Sequence, residues 1–164
     1  MRVTAFFALL VLCTGLATTA QAQSDAQDVT IVVPSVNAFE IPTNAVTITV
    51  VAPAAGQQTG TGSNASTGYN LTTNNSSMKI TGQLDALYPT GISLQVLLGT
   101  PTASSGGSAG TTTQTTLSTS AQDLITGISR AYGSNVTIGY TASATAGAVP
   151  NAGVTQTVTY TLTN

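Results

Sequence analysis

Histidine and tryptophan do not occur in this sequence of 164 residues, and charge is scarce, with three Lys or Arg against five Asp or Glu. Cysteine occurs once, as Cys13, inside an apolar run near the N-terminus. Residues 23–164 therefore hold neither imidazole nor thiolate. That excludes zinc, copper and iron sites built on those ligands, and Ser–His–Asp or Cys–His nucleophilic arrangements. Nothing in the side-chain set titrates near neutrality unless its pKa is shifted. So little basic charge gives no electrostatic footprint for nucleic acid or an anionic membrane surface. No disulfide can staple the domain, which must be held by its own core, by partner subunits or by both.

The first residues have the layout of an export signal. Arg2 supplies the positive end, Val3–Ala17 is mostly apolar, and Ala20-Gln21-Ala22 places small residues where a signal peptidase reads them. Cleavage after Ala22 is expected; the alternative, an uncleaved anchor, requires a longer apolar stretch. Cys13 follows Leu12, too bulky for lipoprotein processing, and would leave with the signal. The expected organisation is a signal peptide at 1–22, an N-terminal arm at 23–36 and one domain at 37–164, located outside the cell or on its surface, with no membrane span after cleavage.

Period-two alternation dominates the remainder of the chain. Val29, Ile31 and Val33 share one face; so do Val46, Ile48, Val50 and Ala52; Ile80, Gly82 and Leu84; Ile92, Leu94, Val96 and Leu98; Val136, Ile138, Tyr140, Ala142 and Ala144; and Val154, Val158, Tyr160 and Leu162. Thr, Ser and Gln occupy the opposite faces, the signature of strands with one side in a core and one in water. Tyr88-Pro89-Thr90-Gly91 suits a type I turn joining strands near 79–86 and 92–99 as a hairpin. Residues 54–68 and 101–110, rich in Gly, Ser and Thr, read as loops. Ala121, Leu124, Ile125 and Ile128 have helical spacing, and Ser120 with Asp123 fits a helix cap. A short strand over 124–129 agrees better with the surrounding pattern. Seven or eight short strands imply an all-β fold, an antiparallel immunoglobulin-like β-sandwich.

No catalytic, metal or cofactor site is expected, and the chain does not read as an enzyme. The acids after residue 22 are Asp25, Asp28, Glu40, Asp85 and Asp123. Only Asp85 and Asp123 are candidates for a carboxylate pair of the glycosidase kind, and nothing in the sequence brings them together. Asn64, Asn70, Asn74, Asn75 and Asn135 begin Asn-x-Ser/Thr sequons and are candidate glycosylation sites, four of them in a stretch that reads as loop. Tyr69, Tyr88 and Tyr132 lie near loops and are the candidates for a binding surface.

The chain ends suggest assembly instead. Asp28–Val33 is a short apolar strand before the breaker Pro34, able to join its own sheet or to add to a neighbour's. Val158, Tyr160 and Leu162 mark a terminal strand suited to an edge. On this layout the chain resembles chaperone–usher-type pilins and, loosely, spore-coat-like secreted β-proteins. It departs from those pilins in carrying no disulfide and in having Thr163 where their chain end usually has an aromatic. The resemblance implies a filament or surface-layer subunit that pairs with copies of itself through a donor strand at Val29, Ile31 and Val33. The competing expectation is a monomeric adhesive or carbohydrate-binding module that meets surface glycans.

Overall fold

The computed structural model describes residues 23–43 and 45–164, and the chain divides into two units, Met1–Val32 and Val33–Asn164. The described part of the first, residues 23–32, belongs to no helix or strand. The second is all-β, with eight strands and no helix among the described residues: β1 Asn37–Glu40, β2 Thr59–Thr73, β3 Met78–Leu84, β4 Ile92–Leu98, β5 Thr102–Thr112, β6 Thr115–Thr116, β7 Gln122–Thr145 and β8 Val158–Thr163.

β7 organises the rest. Its C-terminal half pairs antiparallel with β2 and β4, its N-terminal half with β3 and β5. Ala131 and Tyr132 are opposite β2 on one edge and β5 on the other. It follows that β2 and β3 run in succession along one edge of β7, and β4 and β5 along the other. β1 and β8 then lie end to end outside β2 and β3: Thr163 faces Lys79 and Asn37 faces Thr73. All eight strands thus form one antiparallel, barrel-like sheet rather than the two separate sheets expected of a sandwich.

The sheet folds over itself midway along β7, so both halves feed one core. Tyr69, Leu71, Val96, Leu98, Ile138 and Tyr140 come from one half, and Met78, Ile80, Leu84, Leu124, Ile125 and Ile128 from the other. Tyr160 of β8 donates a hydrogen bond to Tyr140 of β7, oxygen to oxygen 2.9 Å, across this core. Leu117 packs into the core while its N–H bonds Leu94, and the next residue, Ser118, accepts from the Leu84 N–H.

The helical spacing of residues 121–128 is explained by bulges. Leu124, Ile125, Ile128 and Ala131 are all buried, and the register against β3 shifts twice between Met78 and Thr81. Gly127 (φ 75°) and Arg130 (φ 41°) take the left-handed conformation between successive inward residues. Each bulge adds one residue to the strand, so the inward period becomes three instead of two. The segment is a strand that imitates a helical period.

Other expectations change as well. Residues 54–68 and 101–110 are largely strand, in β2 and β5. Their Gly, Ser and Thr are held by the ladder to β7 and give no apolar alternation to read. β3 and β4 do not pair with each other, because each is taken up by β7. The turn between them closes one residue later than expected, with Ile92 N–H on the Pro89 carbonyl and Gly91 third at φ 87°, the position and sign a type II turn requires. Residues 46–50 keep their alternation, with Val46, Ile48 and Val50 packed on the core, but they join the sheet through single bonds such as Val51 N–H to Thr61 O.

One core position works against the fold. The Thr67 hydroxyl is buried with no hydrogen-bond partner among the described residues. A desolvated, unpaired hydroxyl costs about 1–3 kcal/mol. Thr67→Val keeps the shape and removes that cost, so urea unfolding is expected to show a more stable protein, by about 1 kcal/mol.

Candidate assembly site

Val29, Ile31 and Val33, the expected donor strand, are 74, 82 and 75% exposed, and Val32 between them is 83% exposed. Val32 breaks the alternation and so carries no strand signal in the sequence. No ladder bond involves these residues among those described.

Residues 34–36 are fixed by side chains standing in for a strand. Asn74 Oδ1 accepts from Val36 N–H (2.8 Å), Asn74 Nδ2 donates to the Pro34 carbonyl (2.7 Å), and Asn74 N–H bonds the Val36 carbonyl (3.2 Å). Asn75 and Ser35 bond reciprocally beside them. The segment is thereby clamped to the junction of β2 and β3. β8 occupies the edge of β3 beyond that junction, where a continuation of β1 toward the N-terminus would otherwise run.

Val158, Tyr160 and Leu162, expected as a terminal strand, form β8 and pack half-buried on the core. The bond from Asp85 N–H to the Thr157 carbonyl sets the phase of the β3–β8 ladder. In an antiparallel pair, residues that exchange bonds alternate with residues that do not. Thr159, Thr161 and Thr163 therefore spend their main-chain groups on β3, and Val158, Tyr160 and Leu162 aim theirs outward, where none meets a partner among the described residues.

The edges at β5, β6 and β1 are blunted in the ways proteins use against unwanted pairing. β5 has a register break between Ala103 and Ser108 and positive φ at Gly106 and Gly110, and the Arg130 guanidinium reaches over to the Gly106 carbonyl. β6 has two residues, and β1 has four, ending at Glu40. β8 has six, VTYTLT, with no bulge, proline or charge.

No known protein family, curated protein or solved structure matches this chain.

The remaining candidates separate. Tyr69 is enclosed in the core, donating its hydroxyl hydrogen to the Gly99 carbonyl (2.7 Å) and packing 5.8 Å from the Phe39 ring, so it offers nothing to a surface. Its expected place near a loop fails because residues 59–73 are strand. Tyr88 is half-buried and Tyr132 is 53% exposed. Four sequon asparagines have Nδ2 engaged: Asn64 with Thr47, Asn70 with Glu40, Asn74 with Pro34 and Asn75 with Ser35. Asn64 and Asn70 lie in β2, whereas Asn74 and Asn75 lie in the connection between β2 and β3, in keeping with the loop reading. Asn135 is exposed at φ 51°, and its N–H donates to Asn70 Oδ1.

The two acids have separate local duties. Asp123 pairs with Lys79 at 3.0 Å across β3 and β7, and Asp85 accepts from the N–H groups of Ala86 and Thr157. Among the described residues no group of three or more acidic, His or Cys side chains is placed to hold a metal, and no helix is long and apolar enough to cross a membrane.

Burial raises the phenols of Tyr69 and Tyr160 well above 10.0, and the neighbouring Tyr140 adds to the effect at Tyr160. A group whose pKa is higher folded than unfolded contributes stability that is complete below its unfolded pKa and is lost as pH rises through the folded value. Chemical denaturation is expected to show stability falling once pH passes about 10. Absorbance at 295 nm should show both phenolates appearing only with unfolding.

Proposed function

We propose that the chain is an exported structural subunit of an extracellular filament or surface layer, and that copies join by β-strand addition. The observation that carries this reading is the exposed run Val29, Ile31, Val32 and Val33, an apolar β-forming segment without a strand partner among the described residues. In this reading Arg2, the apolar run and Ala20-Gln21-Ala22 direct export and are removed, and residues 28–33 of one copy lie along the free edge of β8 of another. The folded-over sheet then serves as the immunoglobulin-like sandwich does in pilus subunits.

The energetics fit a reversible or cooperative joint. Burying Val29, Ile31 and Val33 contributes about 5–9 kcal/mol, whereas fixing six backbone residues costs about 6–12 kcal/mol. Main-chain bonds to Val158, Tyr160 and Leu162 add roughly 0.5–1.5 kcal/mol each. A single joint is near balance, and a subunit held at both its arm and its edge is favoured over one held at either alone.

A second reading, a monomeric adhesive module that meets surface glycans, draws on exposed Tyr132. Replacing both Val29 and Ile31 by Asp in the chain beginning at Gln23 separates the two. On the assembly reading this variant keeps the parent's melting temperature and loses its filaments in negative stain and its fast-sedimenting species. A parent protein that stays monomeric at high concentration, or a variant that polymerises equally well, would contradict assembly. Glycan binding lost in Tyr132→Ala would then support the adhesive module.

A further inference from the structure

The unit Val33–Asn164 has two different ends. At the fold of the sheet, the clamp of Asn74 and Asn75 holds residues 34–36. At the opposite end, β2 starts, β3 ends, β4 starts, β7 ends and β8 starts. Three main-chain bonds gather the loops there: Thr145 N–H to Gly91, Ala146 N–H to Gln58 and Asp85 N–H to Thr157. Gln156 Nε2 also donates to the Leu87 carbonyl at 3.4 Å.

This open end is apolar where loops are usually polar. Leu87 is 63% exposed and Val149 is 74% exposed. Between the loops lies an open depression of about 340 Å³ whose walls include Leu84, Leu87, Tyr88, Ile92, Leu94 and Leu117. Leu84, Leu94 and Leu117 belong to the core, so the depression reaches the core directly. An apolar cavity of about 150 Å³ takes up a benzene ring, so this space accommodates more than one aliphatic side chain.

We propose that the open-end depression receives apolar side chains from the arm of a second copy of this chain, so that subunits join arm to open end and all point the same way. The inference rests on the strand addition proposed above and adds a second contact and a direction to it. The occupant follows from what the chain itself exposes. Its arm carries four exposed aliphatic side chains, and its open end an uncharged hollow whose aliphatic walls are interspersed with Thr90, Ser93 and Thr116. Val158, the first residue of β8, pairs with Leu84 in the wall of that hollow. A strand lying on the free edge of β8 therefore brings its terminal apolar residue to the depression. The two surfaces are formed by different residues, so the contact is heterologous, and its repetition extends head to tail into a filament where the rotation between copies does not close a ring.

A mixing experiment tests this. Leu87→Asp spoils the open end and leaves the arm; Val149→Asp does the same from the neighbouring loop. The Val29→Asp, Ile31→Asp chain spoils the arm and leaves the open end. Each variant alone is expected to sediment as a monomer with an unchanged melting temperature. A mixture of the open-end and arm variants is expected to give a one-to-one heterodimer by light scattering, since one usable arm meets one usable open end. Leu97→Asp, on the outer face of β4, is expected to polymerise as the parent does. Filaments from both Leu87→Asp and Val149→Asp would overturn the open end as receptor and leave strand addition standing. A mixture that stays monomeric, with an intact arm, an intact β8 edge and an intact open end all present, would overturn both. Filaments from the arm variant would overturn both.

Discussion

Pairing along both edges of β7 is the constraint on which the rest of this fold depends. A strand of 24 residues is several times the usual length, and it survives because most of it has a strand on each edge. That pairing dictates the order of the other strands. It uses up one edge of β2, β3, β4 and β5, and it prevents β3 and β4 from forming the hairpin their short connection invites. Bulges at Gly127 and Arg130 let the strand bend so that its halves face each other over a single core.

The exposed arm and the open edge of β8 follow from the same constraint. With β7 on its inner edge, β3 has one edge left, and β8 takes it. β1 is therefore confined to β2, and the chain N-terminal to it finds no place on β3. The Asn74 and Asn75 side chains fasten residues 34–36 where the ladder stops. The apolar arm beyond them and the free main-chain groups of β8 are two consequences of one crowded edge. In a surface so poor in charge, neither is shielded by the lysines that usually discourage strand addition.

What was legible in the sequence is what burial wrote there. β3, β4, the C-terminal half of β7 and β8 each place alternate aliphatic or tyrosine side chains in the core, and their alternation was plain. β2 and β5 were not legible, because TGTGSNASTG and TASSGGSAG are strands by hydrogen bonding to β7, and glycine and serine record no such partner. Misplacing β2 put Tyr69 on a surface and Asn64 and Asn70 in a loop. The period near Ile125 and Ile128 was misleading for a different reason, since a bulge shifts the inward face without altering residue type. Of the assembly site, the aliphatic arm and the β8 alternation could be seen, whereas the clamp, the outward phase of Val158, Tyr160 and Leu162, and the open end are properties of register and packing.

Amide hydrogen exchange at three residues addresses the central claim, that the free edge of β8 accepts a strand from another copy. In the chain with Val29 and Ile31 replaced by Asp, the amides of Val158, Tyr160 and Leu162 should exchange quickly while those of Thr159 and Thr161 are protected by β3. In assembled parent protein all five should be protected. Assemblies in which Val158, Tyr160 and Leu162 still exchange as fast as in the monomer would contradict the account.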